Sequence, residues 1–166
     1  MECLVALLLF ATGALGLLSS QLAGQRATHA ALQRSGAVLL AQDLLARIEA
    51  NPAARADYAV AELGVGTHEQ PETDCRHSPC TPSELARFDL WQVAVALNTV
   101  VDDARVPRLA RLPAARACIE LTSEEVRVTL SWLDHAAAPG SAGSSCGADE
   151  ALRRQVALSA WRVGVS

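Results

Sequence analysis

A chain of 166 residues, 51% apolar but only 4% aromatic, has room for one modest globular domain and a hydrophobic appendage. Its net charge of -4 and the lack of a basic cluster exclude nucleic acid as a partner.

The appendage comes first. After Met1 and Glu2 the sequence is uncharged from Cys3 to Gln25, and Arg26 is the first basic residue. A run of that length spans a bilayer. It is not a standard secretory signal, because a signal carries basic residues before its apolar stretch and this one begins Met1-Glu2. An exported chain with a transmembrane anchor is the expectation. Glu2 is then a puzzle. A carboxylate at membrane depth is costly and by default belongs to a functional site with a partner, whereas one in the headgroup zone does nothing. Position alone does not choose between the two.

No proline interrupts residues 27–50, and Gly36 is the only glycine there. Ala37, Leu40, Ala41, Leu44, Leu45 and Ile48 recur at three- and four-residue steps and share one helical face. Asp43 and Arg47 make a favourable i,i+4 pair, and Asn51-Pro52 is the stop. The spacing predicts one helix of about 50 residues, roughly 75 Å long. Its first half is apolar all round and its second half is amphipathic, so it asks for two environments: lipid or a helical bundle, then a domain packed on one face.

Residues 53–80 read as irregular, broken by Gly64, Gly66, Pro71 and Pro79. In "CTPSELARFDLWQ" Thr81 can cap a second helix, Pro82 suits its first position and Glu84 completes a capping box. Leu85, Phe88, Ala94, Val95 and Leu97 supply its apolar face. In "EVRVTLSWL", Val126, Val128, Leu130 and Trp132 alternate with Arg127, Thr129 and Ser131, the pattern of a half-buried strand. Residues 118–121 are its hairpin partner. "APGSAGSSCG" is a flexible loop, and "RRQVALSAWRV" is a last strand with Val156, Leu158 and Ala160 on one side. The fold class is α+β: a long N-terminal helix against a small antiparallel sheet.

Set apart from Cys3, the remaining cysteines form an even set, Cys75, Cys80, Cys118 and Cys146, which fits an oxidising compartment. "CRHSPC" with His77 between its cysteines lacks a complete zinc ligand set, so a local Cys75–Cys80 disulfide is the stronger reading. Three pairings of four cysteines are possible, and chain order favours Cys75–Cys80 with Cys118–Cys146. Cys3 is a small packing residue. No nucleophile elbow, phosphate loop or H-E-x-x-H occurs, and His29, His68, His77 and His135 are scattered, so no enzyme and no cofactor are expected. Asp102-Asp103 lacks the oxygen spacing of a calcium loop and reads as solvated charge, and no metal site is expected. Trp91, Trp132 and Trp161 read as packing residues, with at most one left over for binding.

"ECLVALLLFATGALGLLSSQ" resembles the N-terminal helix of mature type IV pilins, with its glutamate followed by Val/Leu/Ala-rich sequence. "RSGAVLLAQDLLARIEANPAARADY" narrows the likeness to the PilV family of minor pilins, in which an "LAQD…R…N…A…Y" segment leaves the helix. "CTPSELARFDLWQ", "VTLSWLD" and "CGADEALRRQVALS" resemble that family's later blocks, so the likeness covers nearly the whole chain. It implies residues 1–25 as the membrane and filament-core half of the helix, 26–51 as the half packed on the head, and 52–166 as the head. It implies that Glu2 is the assembly glutamate, which pairs with the N-terminal amine of a neighbouring subunit. Met1 falls where the fourth mature residue stands, so the leader and its cleavage site are expected upstream. The implied partners are other minor pilins, major pilin subunits, the inner-membrane assembly platform and, for the precursor, prepilin peptidase with N-terminal methylation. The implied location is the inner membrane with the head in the periplasm, then the pilus surface, in support of pilus assembly, adhesion and twitching motility. A minor pseudopilin of type II secretion shares the helix, and a generic anchored periplasmic binding domain is the remaining alternative.

Overall fold

A computed structural model describes residues 2–64, 66, 69–98, 112–134, 146–147 and 152–161. Helix α1 runs without interruption over Glu2–Ala50. It is followed by a kinked 3₁₀ segment Pro52–Tyr58, strand β1 Val60–Leu63, helix α2 Pro82–Asn98, and strands β2 Arg116–Leu121, β3 Glu125–Leu133 and β4 Arg153–Trp161. The four strands form an antiparallel sheet in the order β1-β2-β3-β4, so the fold is α+β.

The two halves of α1 meet different surroundings. Leu4, Leu8, Phe10, Leu15, Leu18 and Leu22 are all more than half exposed, and the apolar window of the helix has a mean hydropathy of 2.1 with none of its residues buried. The helix is long and apolar enough to cross a membrane. Three of its hydroxyls bond within the helix: Thr12 donates to the Leu8 and Leu9 carbonyls, Ser19 to Gly16 and Thr28 to Gly24. Such back-bonding is what an apolar medium demands of a polar side chain. Further along, Ala37, Ala41, Leu44 and Ile48 are buried in one core with Ala117, Ile119, Val126, Val128, Leu130 and Trp132. Leu40 and Leu45 flank that stripe half-buried. Truncation of a core residue such as Leu44 to alanine costs about 2–5 kcal/mol.

Helix α2 starts as its capping box requires. The Thr81 backbone N–H and hydroxyl donate to Glu84 at 2.8 and 2.7 Å, and the Glu84 N–H returns to Thr81 Oγ1 at 3.4 Å. Its inner face is Ala86, Phe88, Asp89, Val93, Ala94 and Leu97, while Leu85 and Val95 are exposed. The apolar count placed the face correctly at Phe88, Ala94 and Leu97. It missed the rotation toward Asp89, which a polar partner sets.

Two stretches differ from the expected pattern. Residues 53–80 are not irregular throughout, because they hold the 3₁₀ segment and β1. Strand β1 has four residues and a bulge between Val60↔Ile119 and Leu63↔Ala117, too short to leave a period-two signal. Its end needs Gly64 (φ +97°), where a Cβ would lie 2.8 Å from the Ala115 carbonyl oxygen. Strand β3 is buried on both faces over its second half: Thr129 and Ser131 are 7% and 1% exposed. The cover is Cys146, held over that face by its bond to Cys118. Ser131 donates to the Cys146 carbonyl at 2.9 Å, and Arg153 donates to Ser131 Oγ and the Ala114 carbonyl. The expected strand at residues 153–163 is described to Trp161, and most of the "APGSAGSSCG" loop lies outside the described residues.

Candidate functional site

The site has two parts, the exposed apolar half of α1 and the contacts that hold the end of α1 to the head. Glu2 stands at the exposed start of α1, in its first turn. There a carboxylate also meets the positive end of the helix dipole. Cys3 follows as an exposed free cysteine on the same apolar half.

The grip on the helix is a polar network where α1 ends. Arg47 Nη1 donates to Asp89 Oδ1 at 2.7 Å and to Gln92 Oε1 at 2.6 Å, both on α2. Its Nε donates to Asp43 at 2.8 Å within α1. The Tyr58 hydroxyl donates to Asp89 Oδ2 at 2.7 Å, and Asn51 Nδ2 donates to the Tyr58 oxygen at 3.3 Å and the Pro82 carbonyl at 2.8 Å. Four segments thus meet on one carboxylate and its neighbours: α1, the residue that stops it, the 3₁₀ segment and α2. Tyr58 is fully buried and Asp89 and Asn51 nearly so. Burial, followed by the hydrogen bond to Asp89, pushes the Tyr58 phenol up to about 12. The "D…R…N…Y" part of the sequence pattern is therefore one hydrogen-bonded unit. Asp89, its hub, carried no local signal, because its partners lie 31 and 42 residues away.

The cysteines sit at two other supports. Cys75 and Cys80 are bonded, with Cα atoms 5.6 Å apart, and close a short loop at the start of α2. Within the loop Asp74 accepts from the Arg76 backbone and guanidinium and contacts His77 at 3.1 Å. The Arg76 hydrogen bonds hold the Asp74 carboxyl well below the usual range. Cys118 and Cys146 are bonded across the outer face of the sheet, also with Cα atoms 5.6 Å apart.

The other candidates do not converge. His29 is exposed on α1 and His77 belongs to the disulfide loop, while His68, His135, Asp102 and Asp103 lie outside the described residues. Among the described residues no group of three His, Cys, Asp or Glu side chains could hold a metal ion. Trp132 is buried in the core, Trp161 is 68% exposed at the end of β4, and Trp91 is half-buried on α2.

Residues 20–91 match the Tt1218-like family, described as Type IV pilin Tt1218. That stretch begins inside the apolar half of α1, ends at Trp91 and contains Asp43, Arg47, Asn51, Tyr58 and Asp89. No curated protein and no solved structure matches the chain. The matched stretch is similar to a type IV pilin family and covers less than half of the chain, and the apolar half of α1 is long and apolar enough for a membrane anchor.

Proposed function

We propose that this chain is a structural minor pilin of the PilV type, which takes part with other minor pilins in priming type IV pilus assembly and so supports adhesion and twitching motility. The observation that carries the reading is the division of α1. One unbroken helix is exposed and apolar over its first half and, further on, buries one face, Ala37, Ala41, Leu44 and Ile48, in the head. A soluble protein gains nothing from such a helix, because an exposed apolar surface of this extent requires lipid or other helices to cover it. A subunit that waits in the membrane and then joins a helical bundle uses both environments in turn.

In this reading residues 1–25 are the anchor and filament-core half, 26–51 the half packed on the head, and 52–166 the periplasmic and later surface-exposed head. Glu2 is the assembly group. Its carboxylate pairs with the N-terminal amine of a neighbouring subunit, and a misregistered neighbour is rejected because it leaves a charge unpaired in an apolar bundle. The disulfides Cys75–Cys80 and Cys118–Cys146 keep the head rigid outside the cytoplasm. The partners are other minor pilins, the major pilin and the inner-membrane assembly platform.

The test is deletion of the gene and complementation with the intact chain. Loss of surface pili and twitching, with type II secretion intact, is the expected result. Loss of secretion with normal pili assigns the chain to the pseudopilins instead. No effect on either leaves an anchored binding domain.

A further inference from the structure

One groove on the head has no part in the network described above. It has a volume of about 690 Å³ and lies between one face of α2 and the strap formed by residues 69–73. Glu84, Arg87 and Trp91 follow one another along α2 at steps of three and four, so they share the helical face that lines it. The strap contributes Glu69, Gln70, Pro71 and Glu72.

The strap is tied to α2 at its C-terminal end. Thr73, at the end of the strap, donates to Glu84 Oε1 at 3.2 Å, and the Cys75–Cys80 bond ties the following loop to the start of α2. Glu84 is held by Thr81 as well as Thr73, and these hydrogen bonds, the Thr81 N–H foremost, lower its carboxyl below the usual value. It is thus a structural member of the groove. Trp91 packs against Phe88 at 5.5 Å between ring centroids and is half-buried, so its ring is supported on one side and reachable on the other. Arg87, Glu69, Gln70 and Glu72 are exposed around it.

We propose that this groove binds a neutral oligosaccharide. An aromatic face takes the C–H side of a pyranose ring, and the polar groups that serve its hydroxyls must include both donors and acceptors. Arg87 and Gln70 donate; Glu69, Glu72 and Gln70 accept. The lining argues against an anionic ligand, which meets three carboxylates there, Glu69, Glu72 and Glu84, against the one guanidinium of Arg87; a cationic peptide is the rival occupant. The volume lies within the range of small-molecule sites, and a strap tied at one end before binding lowers the ordering cost. Among the three tryptophans this assigns binding to Trp91, and it stands whether or not the chain assembles into pili.

The full chain in a sugar-free detergent is titrated with neutral tetrasaccharides of glucose, galactose and N-acetylglucosamine, read by saturation-transfer NMR and tryptophan fluorescence. Saturable binding of at least one is expected. Trp91→Ala should weaken it about ten-fold or more, the scale of one lost aromatic contact. Arg87→Ala and Glu72→Ala, both at exposed positions, should each weaken it about three-fold, as a lost hydrogen bond does. Trp161→Ala should leave it unchanged, and near-UV circular dichroism confirms that each variant is folded. No binding to any of the three sugars, binding indifferent to Arg87→Ala and Glu72→Ala, or saturation only by a tetralysine peptide or by polygalacturonate would overturn the proposal.

Discussion

The Tyr58 hydroxyl donates to Asp89 at 2.7 Å, and through this contact the segment that leaves α1 is locked onto α2. The phenol must stay protonated to make that bond. Its value in the folded state is raised from 10.0 to about 12, so the folded protein holds the proton more tightly than the unfolded chain. The contribution is fully present below pH 10 and is lost as pH rises from about 10 to about 12. Tyr58 is the sole tyrosine, so absorbance of the phenolate reports it directly. The expected outcome is a titration midpoint well above that of free tyrosine, with thermal stability falling over the same window. In Tyr58→Phe this component of the alkaline loss should disappear. A midpoint near 10 in the folded protein would show that the hydroxyl is solvated.

The same carboxylate sets the second prediction. Asp89→Ala leaves the buried Tyr58 hydroxyl without its acceptor and removes one of three acceptors from the part-exposed Arg47 guanidinium, a loss of about 1–3 kcal/mol. Asp43→Ala removes only the i,i+4 partner of Arg47, and the Asp43 side chain is 51% exposed, so it should cost about 0.5 kcal/mol or less. Urea unfolding of the two variants separates them. Equal losses would mean that Arg47 acts through α1 alone.

These contrasts also explain what the sequence makes legible. The Asp43–Arg47 pair and the Thr81–Glu84 capping box are local, and their spacing predicts the contacts seen. The α1 stripe from Ala37 to Ile48 is local too, since a helix repeats its face every three to four residues. Asp89 and Gln92 join Arg47 across 42 and 45 residues, and no short-range pattern encodes that meeting. Thr129 and Ser131 mislead for a related reason. Their alternation with Val128 and Leu130 is real, but the face they occupy is covered by Cys146, a residue 15 positions beyond Ser131. For the site, Glu2 and the cysteines stand out by chemistry alone. The groove at Trp91 does not, because half of it is a strap whose residues have no periodicity.

The two disulfides should differ in weight. Mass mapping of the non-reduced protein is expected to give Cys75–Cys80 and Cys118–Cys146 with Cys3 free; a crossed pair such as Cys80–Cys118 would contradict the sheet order. Chain entropy assigns about 3.5 kcal/mol to a bond closing a loop of about 28 residues and about 2 kcal/mol to one closing about five. The longer bond also holds the cover over Ser131 and Arg153. Cys118→Ser with Cys146→Ser should therefore lower the urea midpoint more than Cys75→Ser with Cys80→Ser. The reverse order would mean that the 146–147 cover stays in place without its covalent tie.

Glu2→Gln tests the assembly reading at its chemical centre. The change keeps size and hydrogen-bonding capacity and removes the charge. In a simple anchor it should be neutral or favourable, because it deletes a carboxylate whose burial near lipid costs about 3 kcal/mol. In an assembly device it leaves the neighbour's amine without a counter-charge in an apolar bundle, a loss of about 3–5 kcal/mol. The two readings thus predict opposite signs for one substitution. The measurement is surface pilus yield and incorporation of this subunit at matched membrane levels of protein. A marked fall in incorporation is expected, with the head still folded and the anchor still inserted. Wild-type incorporation would mean that the carboxylate is a bystander in the headgroup zone and that assembly does not read it.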